Sequence, residues 1–459
     1  MNTRTLRPVR TVLAGALIAL AAQSALAAVT AEEAKKLGTT LTQTGAERAG
    51  NADKSIPEYT GGLTTPPTGY EKGSGIRPDP YASEKPLFAI TAQNMAQYEG
   101  KLTAGTKELL KKYPTMRVDV YPSHRSMAFP KYVLENTVKN ATVVKTTDDG
   151  VGVEGTFAGI PFPIPKTGNE VMWNHLLRYT GQSYFTQYDS INVDSSGKAV
   201  LATTGQISMD YPYYDPKRSG ASAESDIYFR TRIAYTAPAR RAGEALLAQD
   251  YINPAKNSRR AWQYLPGQRR VKLAPDIAYD TPNPGAAGAS TYDDAWVFNG
   301  AMDRYDFKLV GKQEMLIPYN TFKLVYAKDP YAVTTPNHLN PDFVRWEAHR
   351  VWVVEATLKA DKRHIYAKRT FYVDEDSWIA VASDQYDARG QLYRAGFVYT
   401  NPSYEVPAPA SMGQGVFDFT TGGYNVTGLM GAYNVGLKYT EPQSANAWSP
   451  DALAGAGVR

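Results

Sequence analysis

Along residues 259–275 the chain reads RRAWQYLPGQRRVKLAP, with polar and apolar positions alternating on both sides of Pro266-Gly267. Trp262 and Tyr264 share one face and Ala261, Gln263 and Leu265 the other, the period of two that defines a strand. Arg269, Val271 and Leu273 alternate on the return. Pro266 presets φ and Gly267 admits a positive φ, as the central positions of a type II turn require. The segment therefore predicts an antiparallel hairpin. Two readings of its aromatic face stay open: ordinary packing, or the wall of a concave surface that holds a ligand.

The same alternation predicts strands over 184–193, 199–209, 226–235, 244–251, 305–316, 319–326, 349–358, 365–373, 379–386 and 391–399. Short turns separate many of them, among them Asp194-Ser195-Ser196-Gly197 and Asp387-Ala388-Arg389-Gly390, the latter suited to a type I turn closed by a left-handed glycine. Strands joined by tight turns imply an antiparallel meander and exclude a sheet of βαβ crossovers.

Helical signals crowd the first part of the chain. Thr30 and Glu33 form a capping box, as do Thr167 and Glu170. Helices are predicted over 91–99 and 103–113, each led by a threonine, with Pro114 stopping the second, and over 131–139 behind Pro130. Trp173, Leu176 and Leu177 fall on one helical face that Gly181 ends. AGIPFPIP (158–165) reads as a rigid connector, or as a rim from which Phe162 and Ile164 dip into a cavity. Residues 51–86, rich in Gly, Pro and Thr, predict an extended arm on the surface. A long loop, 280–299, ends in Tyr292, Trp296 and Phe298. Asn340-Pro341-Asp342 opens a short helix reaching 346, and the tail after Asn401 is expected to strap the surface or stay mobile. The organisation expected is a leader (1–27), a helix and arm (28–90), a helical region (91–182), an antiparallel half-barrel (183–400) and a tail (401–459).

The start refines this picture. Arg4, Arg7 and Arg10 precede an apolar run too short to span a bilayer, and Ala25-Leu26-Ala27 supplies a cleavage pattern. Cleavage near Ala27 predicts export to the periplasm. With no cysteine in the chain there is neither a disulfide framework nor a lipoprotein anchor. Loss of the leader brings basic and acidic residues close to balance, which, without a basic stripe, argues against nucleic acid as a partner. The 32 tyrosines stand out more than the charge does. They suit half-wet sheets and ligand-lined clefts alike.

Local motifs for chemistry are scarce. His124, His175, His338, His349 and His364 show no metal-ligand spacing, and there is no nucleophile elbow, dinucleotide fingerprint or phosphate-binding loop. Neither a cofactor nor a metal is expected. Asp293-Asp294 and Asp374-Glu375-Asp376 read as solvated turns, the alternative being acid/base work or Ca²⁺. The pairs Arg240-Arg241, Arg259-Arg260 and Arg269-Arg270 either ring the outer face or hold an anionic headgroup at a cavity mouth.

Four segments, AGIPFPIPKTGNEVMWNHLLRY, RRAWQYLPGQRRVKLAP, FNGAMDRYDFKLVGKQEMLIPYN and KRTFYVDEDSW, resemble a bacterial exported family catalogued as domain of unknown function 1329. The resemblance covers nearly the whole mature chain. It implies an α+β fold: a large, strongly curved antiparallel sheet, an incomplete β-barrel similar to the lipoprotein carriers LolA and LolB, with helices covering the open, concave side. It also implies a carrier of lipids or other hydrophobic molecules, working with an RND-type exporter and an outer-membrane-associated partner, and it transfers no catalytic residues. The long arm and loop have no counterpart in the smaller LolA and LolB frame. Burying a hexadecyl chain is worth ~0.8 kcal/mol per CH₂, on the order of 12 kcal/mol gross, so the task needs area and shape but no catalytic group. Trp173, Trp262, Tyr264, Trp296, Phe298 and Trp352 are the residues expected to line or gate the cavity. A hydrolase of hydrophobic esters and a non-catalytic cell-envelope assembly protein are the alternatives.

Overall fold

The computed structural model describes residues 29–219 and 226–456, so the expected leader lies outside the described residues. Helix α1 (Ala31–Ala34) opens on the Thr30–Glu33 capping box. Strands β1 (Phe88–Ile90) and β2 (Val118–Val120) flank helix α2 (Ala104–Lys112), whose first turn is capped by the Thr103 hydroxyl. Helix α3 (Lys131–Val143) follows Pro130 and leads to a ribbon of β3 (Lys145–Thr147) and β4 (Gly152–Glu154). Thr167 caps helix α4 (Gly168–Leu176). Over 91–99, where a helix is predicted, a 3₁₀ turn at Met95–Lys101 forms instead, because the Asn94 side chain takes the Thr91 N–H and starts the turn late.

A first meander follows: β5 (Ser183–Val193), β6 (Ala199–Asp210), β7 (Ile227–Ala237), β8 (Ala245–Tyr251), β9 (Arg260–Leu265) and β10 (Arg270–Leu273). The β9–β10 turn differs from the expected type II. Pro266–Gln268 forms a 3₁₀ turn, and Arg269, not Gly267, takes the left-handed conformation at φ 49°. The second meander comprises β11 (Tyr305–Pro318), β12 (Trp346–Leu358), β13 (Lys368–Asp374), β14 (Ala380–Tyr386) and β15 (Leu392–Ser403). The strand predicted over 319–326 is instead a turn and helix α5 (Phe322–Val325). Asn320, at φ 52°, reverses the chain there, and its carboxamide is fixed by Ser126 (2.6 Å) and Glu347 (2.9 Å).

The sheet does not stop at residue 400. Strands β16 (Ala408–Asp418) and β17 (Tyr424–Leu429) occupy the expected tail, followed by the short β18 (Lys438–Tyr439) and helix α6 (Pro450–Ala456). Among the described residues sixteen strands form one open sheet, in the order β1-β2-β12-β13-β14-β15-β16-β17-β5-β6-β7-β8-β9-β10, with β11 on β12 and β18 on β5. The C-terminal strands thus join the two meanders. Gly428 makes the junction possible. It sits at φ 79°, within the bulge between Thr427 and Leu429, where a Cβ would stand 1.9 Å from the Met412 carbonyl oxygen.

Helix α4 lies on β11 and β12, on the same side of the sheet as the loop before β11. Helices α2 and α6 back the other side, α2 against β14 and β15 and α6 against β8 to β10. The proline-rich arm is tied down by buried Arg77, whose guanidinium pairs with Glu405 and donates to Tyr326 Oη (3.0 Å) and the Leu437 carbonyl (3.2 Å).

Candidate ligand cavity

The first meander and the two C-terminal strands form the floor of a cavity, and residues 277–299 form its roof. Its enclosed volume is about 130 Å³, and its empty space counting the open mouth is about 1000 Å³. The floor follows from the period of two. Phe229, Thr231, Ile233 and Tyr235 are successive residues of one face of β7, and Leu246 and Ala248 continue it on β8. Tyr188 lies across from Gly205, its register partner, and a Cβ on that glycine would meet the ring at 2.8 Å. Met412 and Gln414 of β16 and Asn425 of β17 complete the wall. Part of the site thus lies in the segment expected to be a tail.

The roof is held by buried charge. Asp293 and Asp294 are each 2% exposed, not the solvated turn expected of them. Arg369 donates to both, at 2.9 and 3.1 Å, His364 reaches Asp293, and Tyr366 and Gln385 reach Asp294. Burial would raise the Asp293 pKa, but Arg369 and His364 overcome it and hold the carboxyl below its ordinary value. Asn192 bonds the Ala286 carbonyl at 3.0 Å, and Gln414 accepts the Trp296 N–H at 2.8 Å. His175 braces the loop from α4. Its Nδ1 accepts from Ala380 N, so its Nε2 carries the proton and donates to the Phe298 carbonyl, both at 2.9 Å. Burial pushes its pKa well down, so the ring is a neutral strut.

Of the six aromatic residues singled out from sequence, Trp296 lines this cavity, edge-on to Phe229. The others stand elsewhere. Trp262 and Tyr264 face the opposite side of the sheet, against Trp448 and Leu453 of the C-terminal segment. Trp173, on α4, is buried and its indole N–H donates to the Gly150 carbonyl at 2.9 Å. Phe298 packs between Phe307 and Phe371, and Trp352 stacks on Trp378 beneath Lys312. Phe162 is likewise core, its backbone N–H and C=O both bonded by Asn174. The floor residues were missed because alternation identifies two faces and does not say which is wet; only the position of the roof decides that.

Two other clusters are mostly paired within themselves, although Asp374 Oδ1 has no partner among the described residues. His349, Asp374 and Asp376 bring ligand atoms within 4.8 Å of one another. Both Asp376 oxygens, however, are taken by Arg125, and Glu375 is met by Lys312 and Arg350. All three residues of this acidic run are buried, again unlike the solvated turn expected. Arg259 lines the cavity but is paired bidentately with Asp250, both contacts 2.7 Å, and Arg241 pairs with Glu244. Among the described residues no serine hydroxyl bonds a histidine, and none of the five histidines lines the cavity.

These features define an open antiparallel sheet that carries a roofed, largely apolar cavity. The chain belongs to the family described as protein of unknown function DUF1329, which it matches over residues 89–454. It is 42% identical over 447 residues to a protein of Pseudomonas aeruginosa described as uncharacterized, covering 96% of this chain and 97% of that one. Among solved structures it is similar to a DUF1329 family protein from Desulfovibrio piger, with a TM-score of 0.41 and 16% identity over 60% of this chain and 92% of that one. It is also similar to a LolA superfamily protein from Nitrosomonas europaea, with a TM-score of 0.38 and 11% identity over 63% and 100%.

Proposed function

We propose that this protein is a periplasmic carrier that takes a lipid or other hydrophobic molecule into the cavity between β5–β8, β16–β17 and the roof loop. The observation that carries this reading is the cavity itself: about 130 Å³ enclosed and about 1000 Å³ counting its open mouth, with Phe229, Ile233, Leu246, Ala248, Met412 and Trp296 on its walls. A few polar groups, among them Asn283, Gln414 and Asn425, stand where they would orient a guest. In this reading Trp296 gates the site, and Trp173, Phe298 and Trp352 stiffen the frame around it. Among the described residues no helix is long and apolar enough to cross a membrane. Delivery to or from an RND-type exporter, with an outer-membrane-associated partner, is the setting we assign to it.

The test is native mass spectrometry of protein released from the periplasm, with lipid extraction of the same sample and titration with the neutral fluorophore N-phenyl-1-naphthylamine. Co-purified hydrophobic molecules and saturable fluorophore binding are expected. Protein that carries nothing extractable and does not bind the fluorophore overturns the carrier reading.

A further inference from the structure

Arg178 follows helix α4 and is 5% exposed. Its Nη1 donates to the His175 carbonyl at 2.7 Å, and its Nε has no partner. No carboxylate pairs with it among the described residues, whereas buried Arg77, Arg125, Arg259, Arg369 and Arg394 each meet an acid. The neighbours of Arg178 are aromatic instead. Its guanidinium carbon lies 5.5 Å from the centre of the Trp296 ring, and Tyr184, Tyr211, Tyr214 and Tyr228 are near enough to act on it electrostatically. A buried cation without a counter-charge is costly, and proteins otherwise keep such groups paired.

Two observations connect this cation to the cavity. Trp296 lines the cavity and also faces the guanidinium, so one indole separates the two. Met412, also on the cavity wall, accepts a hydrogen bond from Tyr184 of the tyrosine shell. The dividing segment is strained: Trp296 and Val297 lie at φ 51° and 72°, a region that L residues avoid and β-branched valine most of all. Such strain collects at gates and ligand clamps.

We propose that Arg178 is the anchor for an anionic headgroup, and that the cavity's ligand is a single-chain amphiphile bearing a carboxylate or phosphate. The proposal rests on the carrier reading above. Its apolar chain occupies the space over β7 and β8, and Trp296 swings aside so that the charged end reaches the guanidinium. Arg259, the guanidinium that lines the cavity, is already neutralised by Asp250 and demands no counter-ion.

The test uses the mature full-length chain loaded with N-phenyl-1-naphthylamine and displaced by hexadecanoate, hexadecyl phosphate or hexadecanol. At least one anion is expected to displace the fluorophore at concentrations about tenfold or more below the alcohol, the worth of a charge-assisted hydrogen bond. The stronger of the two anions identifies the headgroup. Arg178→Gln is expected to erase the preference and leave the alcohol unchanged, and Arg178→Lys to keep part of it. Equal displacement by all three ligands in the wild type overturns the proposal. So does a preference that survives in folded Arg178→Gln; its loss in Arg259→Gln would then place the anchor at Arg259. A second measurement needs no change at Arg178. The anions, and not the alcohol, should shift tryptophan emission in the wild type, and the shift should vanish in Trp296→Phe; a shift that persists in that variant overturns the gate. If the wild type does not bind the fluorophore at all, the carrier reading fails and takes this proposal with it. If the fluorophore binds but headgroup charge has no effect, only the anchor fails.

Discussion

Arg369 Nη1 lies 2.9 Å from Asp293 Oδ2, and both side chains are buried. This contact fastens the cavity roof to β13. Removing the cation would leave Asp293 and Asp294 buried with neutral donors, Thr291, Tyr366 and Gln385, and His364 to meet them. Arg369→Met is expected to destabilise the protein by roughly 3–5 kcal/mol, measured by urea unfolding. Hydrogen exchange over 277–299 should rise well before the far strands of the second meander respond. A variant whose roof exchanges as slowly as the wild type would show that the loop is held by its other contacts.

The position of Trp262 allows a separation of roles. Because Trp262 packs on Trp448 and Leu453 behind the sheet, Trp262→Ala should leave fluorophore affinity unchanged and cost about 2 kcal/mol of stability through lost packing. Trp296→Leu should do the reverse, weakening binding several-fold at similar stability. Parallel titration and thermal melts distinguish the two; weakened binding in folded Trp262→Ala would contradict the assignment of faces.

Filling the cavity gives a direct check on its use. Ala248 is 5% exposed and its side chain faces the empty space. Ala248→Phe directs a ring into that space. Binding of the fluorophore should fall by about tenfold, the loss of ~1.4 kcal/mol, while the melting temperature holds. Unaltered binding would place the ligand elsewhere.

Asp210 carries a pH-dependent cost. Burial pushes its carboxyl from the ordinary 3.8 up to about 6, with Arg230, 3.7 Å away, opposing the shift. Between those values the folded protein holds a proton that the unfolded chain has released. Its contribution is therefore complete below the unfolded pKa and lost as pH rises through the folded one, on the order of 3 kcal/mol in all. Asp210→Asn should stabilise the protein by about 2 kcal/mol near pH ~8 and progressively less towards pH ~4. Denaturant midpoints at the two ends of that range test it; an equal effect at both would remove the titration from the account.

The elements with strong local grammar were legible. Thr103 and Thr167 cap the helices they were expected to cap, and the strands from Ser183 to Leu273 match the alternation closely. What failed did so where tertiary contacts override local preference. β16 contains Pro409, Gly413 and Gly415, residues of poor strand propensity, and forms only because β15 and β17 flank it. Residues 319–326 alternate like a strand, yet a turn anchored by Asn320 to Ser126 and Glu347 prevails. At the site, the large aromatic residues drew attention, but five of the six serve packing elsewhere. The acidic pairs read as wet because their partners, Arg369 and Arg125, lie 75 and 251 positions away in the chain.

Chains are made from the amino end, and here the seam of the sheet is made last. β5 waits for β17, and β15 for β16, so neither meander has a finished border until residues 408–429 have been synthesised. Until then two long raw margins are available to any other extended chain. A nascent copy halted or clipped short of Ala408 would therefore be a sticky fragment, not a smaller working protein, and would depend on holdase protection or prompt proteolysis.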